Sequence, residues 1–170
     1  MEQTTNQPIP TCTREQFARE CCWFTLEELT ASQFKQAAIN AGHDPEPNEE
    51  QIECLRQLVV HVLDPLRELW KGPIWVNSGY RCPFVNGAAK GVKGSQHMKG
   101  QAADICIRLP NTKKPDYMAN LRLLGLIFYE HLPYDQVLAE GCNKFGMPAW
   151  IHISYVNKAV NRQFNKQFFA

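Results

Sequence analysis

Apolar residues recur at intervals of three and four from Ile52 through Leu55, Leu58, Val59, Val62 and Leu66 to Leu69, which predicts a long helix with one buried face. Asn48 stands where its cap belongs, and Pro65 either kinks the helix or restarts it with Asp64 as a new cap. A second stripe, Met118, Leu121, Leu124 and Phe128, predicts a helix from Asp116 to His131. Upstream, Thr13-Arg-Glu-Gln16 and Thr25-Leu-Glu-Glu28 fit capping boxes, in which residues three apart satisfy each other's backbone N–H groups. Ser32 to Ala41 reads as a further helix ended by Gly42, and Asp44-Pro-Glu-Pro47 as a rigid loop. His61 and His131 fall on helices and read as packing or surface histidines.

Downstream the period changes to two. Gln101 to Leu109 places Ile105 and Ile107 on one face and Ala102, Asp104 and Cys106 on the other. Trp150 to Val156 does the same, with Ile151, Ile153 and Tyr155 opposed to His152 and Ser154. Asp135 to Glu140 reads as a strand, and Gly141 to Pro148 as its hairpin loop. Helices first, then strands around Trp75, Ile105, Val137 and Ile151, predict an α+β fold in which helices pack on a small, mainly antiparallel sheet. Phe164 to Phe169 is either a final packing segment or a terminal strand, and Trp23, Trp70, Trp75 and Trp150 read as core or cleft wall. Residues 1–12 read as an irregular tail and 13–170 as one domain.

Composition narrows the classes of function. A chain of 170 residues that is 44% hydrophobic has the material for a single core. With 18 basic and 17 acidic side chains it carries a net charge of +1, without the basic stripe expected of a nucleic-acid binder. No apolar run reaches the roughly 20 residues of a membrane span. The segment Met1-Glu-Gln-Thr-Thr-Asn-Gln-Pro8 lacks the basic start and apolar core of a secretory signal. Seven cysteines, an odd number without a C-x-x-C pair, favour free thiols in a reducing compartment. Lys90, Lys93 and Lys99 form a modest basic run, either a solvated loop or an attraction for an anionic wall polymer.

The chemistry lies in Ser95-Gln-His97-Met-Lys-Gly-Gln-Ala-Ala-Asp104 and Trp150-Ile-His152. Two imidazoles and one carboxylate form a catalytic zinc set, which holds the ion with three protein ligands and leaves a fourth position for water or substrate. The strand parity turns Asp104 and His152 away from the aliphatic faces, so two adjacent strands can present both, while His97 sits in a loop rich in glycine. Alone, His152 would read as a hydrogen-bonded core histidine and Asp104 as a strand-end cap; the combination favours metal.

From about Phe24 to Tyr155 the chain resembles the zinc D,D-carboxypeptidase family of peptidoglycan peptidases. The resemblance rests on the Ser-x-His-x-x-Gly-x-Ala-x-Asp string and the Trp-x-His strand. That family shares its metal core with D-Ala-D-Ala dipeptidases, several phage endolysins and the hedgehog signalling domain. The resemblance implies one zinc ion per chain held by His97, Asp104 and His152. A second matching segment, Val76-Asn-Ser-Gly-Tyr-Arg81-Cys-Pro83, implies that Arg81 faces substrate, where a guanidinium can clamp a carboxylate or polarise a carbonyl. Many relatives carry an acid three positions before the last histidine, but here that position is Ala149. Glu140, on the neighbouring strand, is the candidate general base, with Asp135 next in line; otherwise Glu140 only solubilises a hairpin. Ser95 is expected to hydrogen-bond within the metal loop and to contribute to substrate binding.

The expected reaction is hydrolysis of a peptide bond in a peptidoglycan stem peptide, by a monomer acting as a D,D-carboxypeptidase or endopeptidase. The alternatives are an inactive zinc-bearing module that binds wall or protein, and a zinc-free structural domain. Synthesis in the cytoplasm followed by action on the wall, as for a phage lysis enzyme released by a partner, fits the missing signal.

Overall fold

The computed structural model of the protein describes residues 9–169. Of the tail expected over 1–12, residues 1–8 lie outside the described residues, and 9–13 have no regular structure. Both capping boxes form: the Thr13 hydroxyl accepts from Gln16 N at the start of α1 (Arg14–Glu20), and the Thr25 hydroxyl from Glu28 N at α2 (Leu26–Thr30). Helix α3 (Lys35–Asn40) starts later than Ser32, whose hydroxyl instead accepts from Phe34 N in a preceding turn. It ends at Gly42, with Gly42 N bonded to Ile39 O and His43 N to Ala38 O in a Schellman motif.

Asn48 caps α4 (Glu49–Leu58). The chain then passes through a π-helical turn, Val59–Leu63, into α5 (Asp64–Trp70), so α-helical bonding restarts at Asp64 with Pro65 in the first turn. The wider turn absorbs the donor that proline lacks, because Asp64 N reaches back five residues to Val59 O. Asp64 does not cap α5. Its buried carboxylate accepts from Cys22 N at 2.8 Å and Trp23 N at 3.1 Å, and so pins the link between α1 and α2. Ile52, Leu55, Leu58, Val59, Val62 and Leu66 are buried as expected, but Leu69 is exposed.

The sheet has the order β1-β2-β4-β3-β5, made of β1 (Trp75–Ser78), β2 (Ala102–Cys106), β3 (Gln136–Cys142), β4 (Trp150–Ser154) and β5 (Phe164–Phe169). Only the β3–β5 pair is parallel, so the architecture is the mainly antiparallel α+β arrangement expected, and Phe164–Phe169 is a terminal strand. One face, with Ala103, Ile105, Val137, Ile151 and Ile153, joins the helices in a common core. The other face carries Asp104 and His152.

Helix α6 (Pro83–Ala88) follows β1, and α7 (Tyr117–Tyr129) follows β2, capped by Asp116. The sequence stripe on α7 is displaced: Met118, Leu121 and Phe128 are exposed, and the buried positions are Asn120, Leu123 and Ile127. Asn120 belongs inside because its amide accepts from Ile107 N at 2.6 Å and donates to Ala149 O at 2.8 Å. Two tryptophans also depart from expectation. Trp23 and Trp75 are about half exposed and lie beneath the guanidinium groups of Arg67 and Arg108, at 4.6 and 4.9 Å, rather than in the core. All seven cysteines are free thiols, and burial, with the Asp64 charge nearby, pushes the Cys21 thiol up to about 12. His61 and His131 are exposed, with His61 stacked on Tyr155.

Candidate metal centre

His97 stands on a single 3₁₀ turn, Gln96–Lys99, between α6 and β2. The turn ends at Gly100, whose φ of +71° suits glycine, and a Cβ there would lie 2.3 Å from the Gln51 carbonyl oxygen. This close approach seats the turn against α4, helped by Gln51 Nε2 donating to Met98 O at 3.2 Å. Arg81 N donates to His97 O at 3.1 Å, fixing the turn to the end of β1 as well. Ser95 opens the turn; its carbonyl accepts from Met98 N, while its hydroxyl makes no capping bond.

Asp104 and His152 are directly opposite in the β2–β4 ladder. His97 Nε2 is 3.1 Å from His152 Nδ1 and 3.2 Å from Asp104 Oδ1, and His152 Nδ1 is 3.0 Å from the same oxygen. All three side chains are buried, and among the described residues they are the only set of three or more potential ligands that could hold a metal ion. Tetrahedral zinc at roughly 2.0–2.1 Å from nitrogen and oxygen donors implies donor separations of about 3.3 Å, so the triangle has the size of one coordination face.

The tautomer of His97 points the same way. Its Nδ1 lies 2.7 Å from the Gly79 carbonyl and must donate to it, which leaves Nε2 of a neutral ring with a lone pair turned to the Asp104 carboxylate. Two acceptors at 3.2 Å require a cation or a proton between them. Burial alone would raise the Asp104 pKa, but the imidazoles of His152 and His97 set against it outweigh burial and hold its carboxyl well below the usual carboxylate range. The donor set fits zinc.

Arg81 lies beside the triangle. Its Nη2 donates to Asp104 Oδ2 at 2.6 Å and its Nε to Ser78 Oγ at 2.7 Å, so it orients the Asp104 carboxylate while also lining the cleft. Glu140 sits within β3, paired with Trp150, two pairs beyond Leu138, which faces His152. Its side chain lines the same cleft, and burial first, then the Asp104 charge, push its carboxyl above the usual range. Strand β3 runs past Glu140 because Gly141 takes a left-handed φ of +58°, with Trp150 packed where a Cβ would be. The hairpin loop is therefore shorter than the expected Gly141 to Pro148.

Asp135, the second choice for a base, is engaged elsewhere. It is buried, and its carboxylate accepts from Arg162 and from Gln96 Nε2. The cleft above the triangle has a volume of about 1110 Å³, and its walls include Gly91, Val92, Val156, Val160 and Arg162. Neither Gln96 nor Arg162 stands out in the sequence: the first hides inside the motif beside His97, and the second meets Asp135 only through the return of the chain into β5.

No curated protein matches the chain. The model of one family, Peptidase M15, matches residues 23–131, more than half of the sequence. The match takes in Arg81, His97 and Asp104 and stops before Glu140 and His152. Those two are brought to the first three by the β2–β4–β3 register; the match, over more than half of the sequence, places the chain in the Peptidase M15 family of zinc metallopeptidases.

Proposed function

We propose that the protein hydrolyses a peptide bond in peptidoglycan stem peptides, as a zinc-dependent D,D-carboxypeptidase or endopeptidase. The observation that carries this reading is the donor triangle of His97, Asp104 and His152 at the base of a cleft whose walls also hold Arg81 and Glu140. Zinc held by the three side chains would supply a Lewis acid and a water acidified toward neutrality. Glu140 accepts a proton from the attacking water and returns it to the leaving amine, a role suited to a carboxyl held above its usual range. Arg81, fixed by Ser78, faces the carbonyl or terminal carboxylate of the substrate. Ser95, on the cleft wall, contributes to substrate binding. Ala149 is buried and donates its N–H to the Glu140 carbonyl, so the position that carries an acid in many relatives serves here as backbone support.

We further assign residues 13–170 to one catalytic domain that works as a monomer, made in the cytoplasm and brought to the wall by a release step such as phage lysis. Among the described residues no helix is long and apolar enough to cross a membrane. Digestion of purified muropeptides, followed by mass spectrometry, tests the reading. Loss of a terminal D-alanine or opening of a cross-link is expected, abolished by chelator and restored by zinc. A zinc-loaded protein that alters no muropeptide would instead be the inactive binding module.

A further inference from the structure

We propose that Asp135 is a positioning residue that couples one wall of the cleft to the turn carrying His97, through Arg162 on one side and Gln96 on the other. This deepens the zinc peptidase reading and rests on it for its effect on metal binding. Asp135 Oδ1 accepts from Arg162 N at 2.8 Å and Nε at 3.0 Å, and Oδ2 accepts from Arg162 Nη2 at 2.6 Å and Gln96 Nε2 at 3.0 Å. The backbone adds two links, Asp135 N to Ser154 O at 2.7 Å and Phe164 N to Asp135 O at 2.9 Å. One residue thus joins the end of β4, the start of β5 and the neighbour of a metal ligand.

An exposed arginine–carboxylate pair contributes little, because water competes for both partners. Here the Asp135 side chain is 2% exposed and is gripped in bidentate fashion, so the pair has fixed geometry even though Arg162 reaches solvent. Arg162 also ends a compact loop in which Val156 N donates to the Asn161 side chain and Val160 N to Asn157 O. Val156, Val160 and Arg162 all line the cleft. A substrate pressing on that wall therefore acts on Asp135, and Asp135 acts on Gln96 and the turn. Partners hydrogen-bonded directly to a metal ligand change metal affinity by roughly 10–100-fold when removed, and this relay, which reaches His97 through the backbone of its neighbour Gln96, acts at or below the lower end of that range.

The test compares Arg162→Ala, Gln96→Leu and the double variant, by hydrogen exchange of the metal-free protein and by zinc affinity in competition with a chromogenic chelator. Arg162→Ala should speed exchange in both 156–163 and 95–101 and weaken zinc binding by a few-fold, up to about 10-fold. In the Gln96→Leu background, which already cuts the link, it should leave zinc affinity unchanged. Faster exchange confined to 156–163, or losses that multiply in the double variant, would overturn the coupling. Should Arg162→Ala fail to fold, Arg162→Lys, which keeps the charge and loses the bidentate grip, is read in the same way. A wild type that holds no zinc would sink the metal reading, while hydrogen exchange would still decide the coupling.

Discussion

Replacing Asn120 by leucine should loosen both ligand-bearing strands from α7 at once. The amide is fully buried and serves Ile107 N, just beyond β2, and Ala149 O, just before β4. Its third bond, to Ile107 O at 3.4 Å, matters less, because that carbonyl also accepts from Asp116 N at 2.9 Å. Leucine has a similar shape and leaves two buried backbone groups unpaired, at about 1–3 kcal/mol each. Better burial of the apolar side chain offsets about 1–2 kcal/mol. At the middle of both ranges the net loss is about 2–3 kcal/mol, a large share of the roughly 5–15 kcal/mol by which a domain is stable. In a domain of this size the loss corresponds to about 4–12 °C in Tm. Thermal and urea unfolding followed by circular dichroism measure it. A loss below about 1 kcal/mol would show that water or a strand shift satisfies Ile107 N and Ala149 O, and would refute the clamp.

Glu140→Gln keeps the shape of the side chain but cannot take a proton, so turnover on muropeptides should fall by roughly 10²–10⁴ while zinc content stays at the wild-type level; full activity would remove Glu140 from the mechanism. Arg81→Lys should lose most turnover and also weaken zinc binding, by up to about 10-fold, since an ammonium cannot reproduce the two directed bonds now made to Ser78 and Asp104; wild-type turnover would remove Arg81 from the substrate's path. Gly100→Ala forces a Cβ to within 2.3 Å of the Gln51 carbonyl in a left-handed turn, so metal binding should suffer, and a variant with wild-type zinc affinity would deny that this contact seats His97. Asp135 titrates below its ordinary value of 3.8, since hydrogen bonds from Arg162 and Gln96 override the effect of burial. Its contribution to stability is therefore complete above pH 3.8 and is lost as the pH falls through the depressed value, so acid unfolding should be shallower in Asp135→Asn than in wild type.

The fold and the clustering of Asp104 with His152 were legible in the sequence where local physics determines them. Caps at Thr13, Thr25 and Asn48 are satisfied within three residues, and the strand parity around Asp104 and His152 needs only the period of the backbone. The face of α7 was not legible, because the helix is apolar around most of its circumference and its buried side is decided by hydrogen bonds from Asn120 to residues distant in sequence. At Pro65 the restart was legible, but not the π-turn of Val59–Leu63 that leads into it, nor that Asp64 would turn its carboxylate to Cys22 and Trp23 instead of capping α5. Trp23 and Trp75 were expected in the core or the cleft wall, but guanidinium stacking makes an exposed indole acceptable. The latch of Gln96, Asp135 and Arg162 is invisible locally, since it forms only when β5 returns alongside β3.

Zinc content tests the central claim most directly. Elemental analysis of the wild type, stripped with chelator, reloaded and desalted, should return one zinc per chain, and His97→Ala, Asp104→Ala and His152→Ala should each return a small fraction of that while keeping the wild-type circular dichroism spectrum. A wild type that takes up no zinc, or single variants that retain the full amount, would contradict a metal centre built on these three side chains.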